Sequence, residues 1–253
     1  WRKNIVALRQ AKLRTHFVVG DLRSHPAGEC ALALEDVCIL AEQADDAARE
    51  VIAALQPSFA NPADETLWES LRDEVTEQSV LVLGRMLRKR RRRAAFPEPP
   101  PLPEQRHPQS SAREGKVLTL GQRKSLARGQ DRQMLDRLLR DPHPHVIRNI
   151  LNNPRITEND IVLLAARRPT FEDIQLEIAR HPRYGAQARV RLALVQNPYT
   201  PHQLSIPLLS LLNRGELRGV VSATDLSNIV RAAAQELLER RPPTPDPESR
   251  FEQ

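Results

Sequence analysis

Three similar stretches of the sequence decide the fold: VIRNILNNP at residues 146–154, IQLEIARHP at 174–182 and VRLALVQNP at 190–198. Each has apolar residues eight, four and three places before its closing proline. Residues with this spacing lie on one face of an α-helix, so each stretch is predicted to be a short helix with one buried side. The buried residues would be Val146, Ile150, Leu151, Ile174, Ile178, Ala179, Val190, Leu194 and Val195. A weaker fourth copy, VRAAAQELL, begins at Val230.

The boundaries of these helices follow a regular pattern. A residue before proline is pushed out of the α region, so helices should end at Asn153, His181 and Asn197. Threonines follow at the expected restarts: Thr157 forms a capping-box pattern with Asp160, and Thr170 and Thr200 stand near other predicted starts. The prolines at 142, 154, 169, 182 and 198 are spaced so that a pair of helices takes 27, 28 or 29 residues. This predicts short helices stacked in pairs.

The pattern of apolar helix, Asn-Pro, short gap and Thr resembles the helical repeats of the HEAT-like superfamily, and more closely their leucine-rich-repeat variant. Val190-Arg191, Asn197-Pro198 and Thr200-Pro201 carry the nearest local match. The resemblance covers residues 117–241 and departs from the variant repeat in its irregular period. It implies a curved α-solenoid that acts as a binding surface. The cysteine cluster of some family members is missing, so no iron–sulfur site is implied.

The N-terminal half is predicted to contain long helices. One stretch runs from Ala27 to Leu55, and another from Asn61 to Arg93 begins with an N-cap at Asn61 and a proline in the first turn. The second stretch has apolar residues at roughly helical spacing, at Trp68, Leu71, Val75, Val82, Met86 and Leu87. Two or three such helices would form a small antiparallel bundle. The alternative is that the stripe is the seam of a homodimer.

Charge and proline content divide the chain into four parts. Residues 1–93 form an acidic helical domain ending in a basic run: the net charge is −6 over residues 1–83 and +7 over 84–93. Residues 94–116 contain six prolines and are predicted to be a flexible linker. Residues 117–241, with a net charge of +7, form the predicted solenoid, and 242–253 a disordered tail.

The composition of all 253 residues sets further bounds. Aromatic residues at 4% disfavour β-sandwiches and barrels, so the fold class is predicted to be all-α. No run of 18 apolar residues appears, which excludes an evident membrane helix. Two cysteines, Cys30 and Cys38, cannot build a disulfide framework, so we expect a reducing, cytoplasmic location. Because the chain starts at Trp1 rather than methionine, we expect it to be a fragment.

Arginine is the main candidate for ligand binding, because guanidinium groups pair with phosphates and carboxylates. The candidate contacts to an anionic partner are Arg85, Arg88, Lys89, Arg90, Arg91, Arg92, Arg93, Arg148, Arg155, Arg167, Arg168, Arg180, Arg183, Arg189 and Arg191. The competing interpretation is a solvated surface. For residues 85–93 the competing interpretation is a solvated helix end, whose positive charge complements the helix dipole.

No catalytic motif appears in the sequence. A Gly-rich phosphate loop, GxSxG, HExxH and paired CxxC are all missing, and His143 and His145 beside Asp141 are better explained as a polar turn than as metal ligands. The sequence therefore predicts no enzyme, metal or cofactor. The leading hypothesis is a scaffold or adaptor that binds a protein partner. The alternative is a nucleic-acid-binding protein, and a third hypothesis docks the acidic N-terminal half on the basic repeats.

Overall fold

The computed structural model describes residues 1–88 and 118–241, which contain fifteen α-helices and no strand. The all-α prediction is confirmed. Within these ranges, every helix is too short or too polar to cross a membrane. The basic residues from Lys89 to Arg93, the linker at 94–116 and the tail at 242–253 lie outside the described residues.

The N-terminal half has six helices where the sequence predicted fewer, longer ones. A 3₁₀ turn at Pro62–Asp64 precedes the fifth of them. Their bounds are α1 Arg2–Ala7, α2 Ala11–Ser24, α3 Ala27–Glu42, α4 Asp46–Phe59, α5 Glu65–Glu77 and α6 Leu81–Met86.

The prediction of two long helices in this half is wrong, because a residue with left-handed backbone angles interrupts each of them. Ala44 has φ 68° and ends α3, after which the side chain of Asp45 accepts the N–H of Ala48 and caps α4. Ser79 has φ 56° and separates α5 from α6. Asn61 is a cap as predicted, but of the 3₁₀ turn.

Helix α4 lies at the centre of the molecule. More than half of its residues are buried, and it packs against α1, α2 and α3 on one side. The apolar stripe from Trp68 to Leu87 belongs to or packs against the same N-terminal core. The stripe therefore faces its own bundle, which favours the bundle interpretation over a dimer seam.

The C-terminal half has nine short helices. They are α7 Leu120–Leu126, α8 Arg132–Leu138, α9 Pro144–Leu151, α10 Glu158–Ala166, α11 Glu172–Arg180, α12 Ala188–Val195, α13 His202–Leu209, α14 Arg214–Ser222 and α15 Asn228–Arg240. All nine apolar positions predicted from the three aligned stretches are at most 3% exposed. Helices two apart along the chain pack together, α7 with α9, α9 with α11, and α10 with α12.

The predicted caps have mixed outcomes. Thr157 and Asp160 form the expected capping box of α10. Thr170 does not cap α11, which starts after Phe171, and the buried Thr170 hydroxyl has no hydrogen-bond partner among the described residues. The Thr200 hydroxyl donates instead to the Leu194 carbonyl at 2.6 Å, and so fastens a loop to the helix before it.

The two halves are in direct contact through α4, which also packs against α11 and α13. Ala60, just after α4, is part of the repeat core, and Leu211 packs against both cores. The Arg180 guanidinium donates to the Ala60 carbonyl, and Arg240 pairs with Glu42 at 3.0 Å. These contacts show that the two halves touch, whereas docking driven by their opposite net charges stays a prediction.

Candidate functional site

Asparagines before proline tie one helix to the helix two positions earlier. The Asn153 amide, just after α9, donates to the carbonyls of Ala127 and Gly129 at 2.9 and 2.7 Å, where α7 has ended. Its Oδ1 accepts the N–H of Arg155 at 2.9 Å. The side chain thus satisfies two carbonyls that a helix end leaves without partners.

Asn197 repeats this arrangement after α12. Its amide donates to the carbonyls of Ala165 and Arg167, at the end of α10, at 2.7 and 2.9 Å, and its Oδ1 accepts the N–H of Tyr199 at 3.0 Å. Both asparagines are at most 4% exposed. We call these two sets of bonds the asparagine clamps.

The middle copy has His181 in place of asparagine and uses a tyrosine for the same purpose. The Tyr184 hydroxyl donates to the Ile156 carbonyl at 2.7 Å, while the His181 ring stacks on Tyr184 and its Nδ1 accepts the Tyr184 N–H at 3.3 Å. Burial, with a smaller contribution from Arg183, lowers the pKa of His181. The neutral ring that accepts this hydrogen bond is thereby favoured.

Two bidentate ion pairs join helices of successive pairs. Arg132 at the start of α8 binds Asp160 of α10 with N–O distances of 2.8 and 2.5 Å. Arg148 of α9 binds Glu177 of α11 at 2.8 and 2.6 Å. The bonds span 28 and 29 residues, which is the spacing predicted for a helix pair.

Most of the predicted arginine contacts in the repeat half are engaged within the protein. Arg167 donates to the Leu139 carbonyl, Arg168 to Asp225 and the Gln196 carbonyl, and Arg191 to the Ala186 carbonyl. Arg148 and Arg180 share the carboxylate of Glu177. The remaining predicted arginines of this half, Arg155, Arg183 and Arg189, are exposed. The Arg183 guanidinium lies over the Tyr184 ring, and Arg189 is 3.4 Å from the Asn159 side chain.

The described part of the basic run lies at the junction between the halves. Arg85 is 3.7 Å from Glu42, which also accepts Arg240. Arg85 and Arg88 line a narrow crevice with Glu42, Met86 and residues of α13 and α15. The Cys38 thiol also lies there, 3.7 Å from the Met86 sulfur, and burial raises its pKa. Cys38 is an apolar packing residue, as predicted.

A cleft of about 560 Å³ opens over the face of α4 that no helix covers. It is lined by α2, by α4, by the turn before α12 and by Leu211. Three arginines from different helices line it: Arg14, Arg49 and Arg191. Arg14 pairs with Glu50, whereas the Nε atoms of Arg49 and Arg191 are buried without a hydrogen-bond partner in the described structure.

The electrostatics of this cleft are unusual because two guanidinium groups share a partly desolvated space. Burial lowers the pKa of Arg191, and the nearby charge of Arg49 lowers it further, against the opposing effect of Glu50 and Glu216. Arg49 and Arg191 each make one bond to a backbone carbonyl, Leu212 at 3.0 Å and Ala186 at 2.7 Å.

The histidine pair forms a polar turn. His143 Nδ1 accepts the N–H of His145 at 3.2 Å and the two rings pack 5.3 Å apart, while Asp141 binds Arg123 at 2.5 Å. Among the described residues, no three potential metal ligands converge on one point.

Comparison of the chain with protein-family models, with curated proteins and with solved structures found no match. The resemblance to HEAT-like repeats therefore depends on residues of this chain alone.

Sequence reasoning identified Arg191 but missed Arg14 and Arg49, which meet it in the cleft. They come from the N-terminal half, more than 140 residues earlier in the chain, and no local pattern links them to Arg191. Tyr184 was missed as well. It lies three residues after His181, the residue that replaces asparagine in the Asn-Pro pattern.

Proposed function

We propose that the protein is a non-enzymatic scaffold or adaptor, whose helical repeats form a HEAT-like solenoid and bind a protein partner. The repeated fastening of helices in successive pairs, by the asparagine clamps and the two ion pairs, is the observation that carries this proposal. A stack held in register presents a preformed surface, so little conformational entropy is lost when a partner binds.

The contacts of α4 decide which surface is available. Because α4 packs against α11 and α13, part of that side is covered by the N-terminal helices. Helix α10 packs mainly against α12 and carries Leu163, which is 64% exposed. Asn159 lies one turn earlier on α10 and is 3.4 Å from Arg189 of α12. An apolar anchor beside a polar rim is the usual anatomy of a binding surface.

The test uses two matched variants. Leu163→Glu places a charge on the proposed surface, whereas Leu32→Glu changes a leucine of similar exposure, 55%, on α3. The measurement is a pull-down with each chain immobilised. A protein that binds the wild type and Leu32→Glu but not Leu163→Glu supports the proposal. If every retained protein binds all three chains equally, this surface is not the binding site.

Nucleic-acid binding is the second candidate, favoured by the exposure of Arg155, Arg183 and Arg189. It ranks second because six of the eight arginines of the C-terminal half proposed for it already donate to groups of the protein itself. Electrostatic binding to phosphates weakens steeply with salt. Mobility shifts of DNA and RNA at low and high salt test it, and lack of binding at low salt rejects it.

A further inference from the structure

We propose that the cleft between the two halves binds the phosphate group of a small phosphate monoester through Arg49 and Arg191. This site is separate from the proposed partner surface on α10. It depends on residues from both halves, since Arg49 belongs to α4 and Arg191 to α12.

The first argument is an unmet demand for acceptors. The Nε groups of Arg49 and Arg191 are buried and lack a hydrogen-bond partner within the described structure. A buried donor without an acceptor destabilises the folded state, and more so when it is charged. The Nε groups of Arg85, Arg123, Arg231 and Arg241 share this feature, but Arg49 and Arg191 bring two such donors to one cleft, where a bound acceptor would satisfy them.

The second argument is charge. Of the three arginines on the cleft, Arg14 is balanced by Glu50, whereas Arg49 and Arg191 are in ion pairs with no carboxylate of the described structure. Asp46 also lines the cleft but lies within 4 Å of neither guanidinium. Two unpaired guanidinium groups match the charge of a phosphate monoester, which is about −1.5 to −2 at pH 7.

The third argument is shape. Guanidinium groups present donors in a planar fork that fits two oxygens of a phosphate. The cleft of about 560 Å³ is within the range typical of small-molecule sites, roughly 300–1,000 Å³, and far exceeds the volume of one phosphate. Ala53, Ala54, Pro57, Pro182 and Leu211 supply apolar surface for the organic part of the ligand.

Calorimetric titration with glycerol 3-phosphate at constant ionic strength tests the proposal. Three variants accompany the wild type. Arg191→Gln removes one guanidinium, and Ala186→Glu places a carboxylate at the cleft while keeping all three arginines. Arg155→Gln removes an exposed repeat arginine away from the cleft and is the control. Circular dichroism establishes that each variant is folded.

We expect saturable binding by the wild type and by Arg155→Gln with dissociation constants within twofold of each other. Arg191→Gln and Ala186→Glu should each weaken binding at least tenfold. If Arg191→Gln does not fold, Ala186→Glu decides alone. The proposal is overturned if the wild type does not bind, if both cleft variants bind as the wild type does, or if the control loses affinity to the same extent.

Discussion

Asn153 and Asn197 make the same three hydrogen bonds after two different helices of the C-terminal half. Each donates twice to carbonyls at the end of the helix two positions earlier and accepts the N–H two residues ahead. The clamp requires an asparagine specifically, because only an amide supplies two donors and an acceptor on so short a side chain.

Replacing either asparagine should therefore cost much more than replacing its neighbour. Asn153→Ala removes the donor from the buried Ala127 carbonyl and from the half-buried Gly129 carbonyl, and we expect it to lower the free energy of unfolding by about 2–4 kcal/mol. Asn152→Ala, which loses one exposed bond to the Arg148 carbonyl, should cost less than about 1 kcal/mol. Urea denaturation measures both, and equal losses would contradict the clamp.

The ion pair of Arg132 and Asp160 should give the protein an acid-sensitive part of its stability. Hydrogen bonds from Arg132, and then from Thr157, hold the pKa of Asp160 well below its usual range. The contribution is complete above the unfolded pKa of about 3.9 and is lost as the pH falls below it. Asp160→Asn should therefore be less stable than the wild type at pH 6, and the difference should shrink by pH 3. A constant difference in unfolding free energy would reject this.

His181 should also make the protein less stable as the pH falls, but closer to neutral pH. Its folded pKa is lowered, so below about pH 6.5 the unfolded chain takes up a proton that the folded protein resists, and stability falls. His181→Asn should remove this loss between pH 7 and 5. His16→Asn, at an exposed histidine of α2, is the control for the loss of an imidazole, and an equal effect of the two variants would contradict the role of His181.

Gly185 lies where the turn before α12 meets α4. A Cβ there would clash with the Ala179 carbonyl oxygen and would be 3.0 Å from the amide nitrogen of Gln56. Gly185→Ala should cost about 1–3 kcal/mol through overpacking. Gly20 lies on α2, and a Cβ there would have no neighbour within 4 Å. Gly20→Ala should therefore raise the free energy of unfolding by roughly 0.5–1 kcal/mol, because alanine is the better helix former. Thermal melting of the two variants should shift in opposite directions.

The shared packing of α4 should make both halves unfold together. Trp68 is buried at 1% exposure beside Phe59 in the N-terminal core, and its fluorescence reports on that half. Ile150→Ala, in the repeat core, should cost about 2–5 kcal/mol and lower the Trp68 midpoint as much as the circular-dichroism midpoint. A Trp1→Phe background isolates the signal. A Trp68 midpoint that does not move would show that the halves unfold separately.

The helices at the three aligned stretches were predictable because short-range information defines them. The apolar spacing and the prolines are local, and the nine buried positions from Val146 to Val195 lie where they were expected. Thr170 was misjudged because an N-cap depends on the backbone angles at one residue, and the helix starts one residue later. Ala44 and Ser79 adopt left-handed conformations that neither residue type signals.

The cleft could not be predicted from sequence for a different reason. Its arginines meet only because α4 packs between the N-terminal helices and the repeats, and that contact joins residues far apart in the chain. Charge counting treated these arginines as one basic surface. In the structure several of them are bound to Glu177, to Asp225 or to backbone carbonyls. Only Arg191 among the described candidates lines the cleft.

The burial of α4 also sets the order in which the protein is completed on the ribosome. Its first partners, α1 to α3, are synthesised before it, but α13 ends about 150 residues after α4. At a synthesis rate of 5–20 residues per second, roughly 8 to 30 s pass between the synthesis of α4 and that of its last partner. During that interval the apolar side of α4 is an exposed hydrophobic segment of the nascent chain, and the natural place for a chaperone to bind.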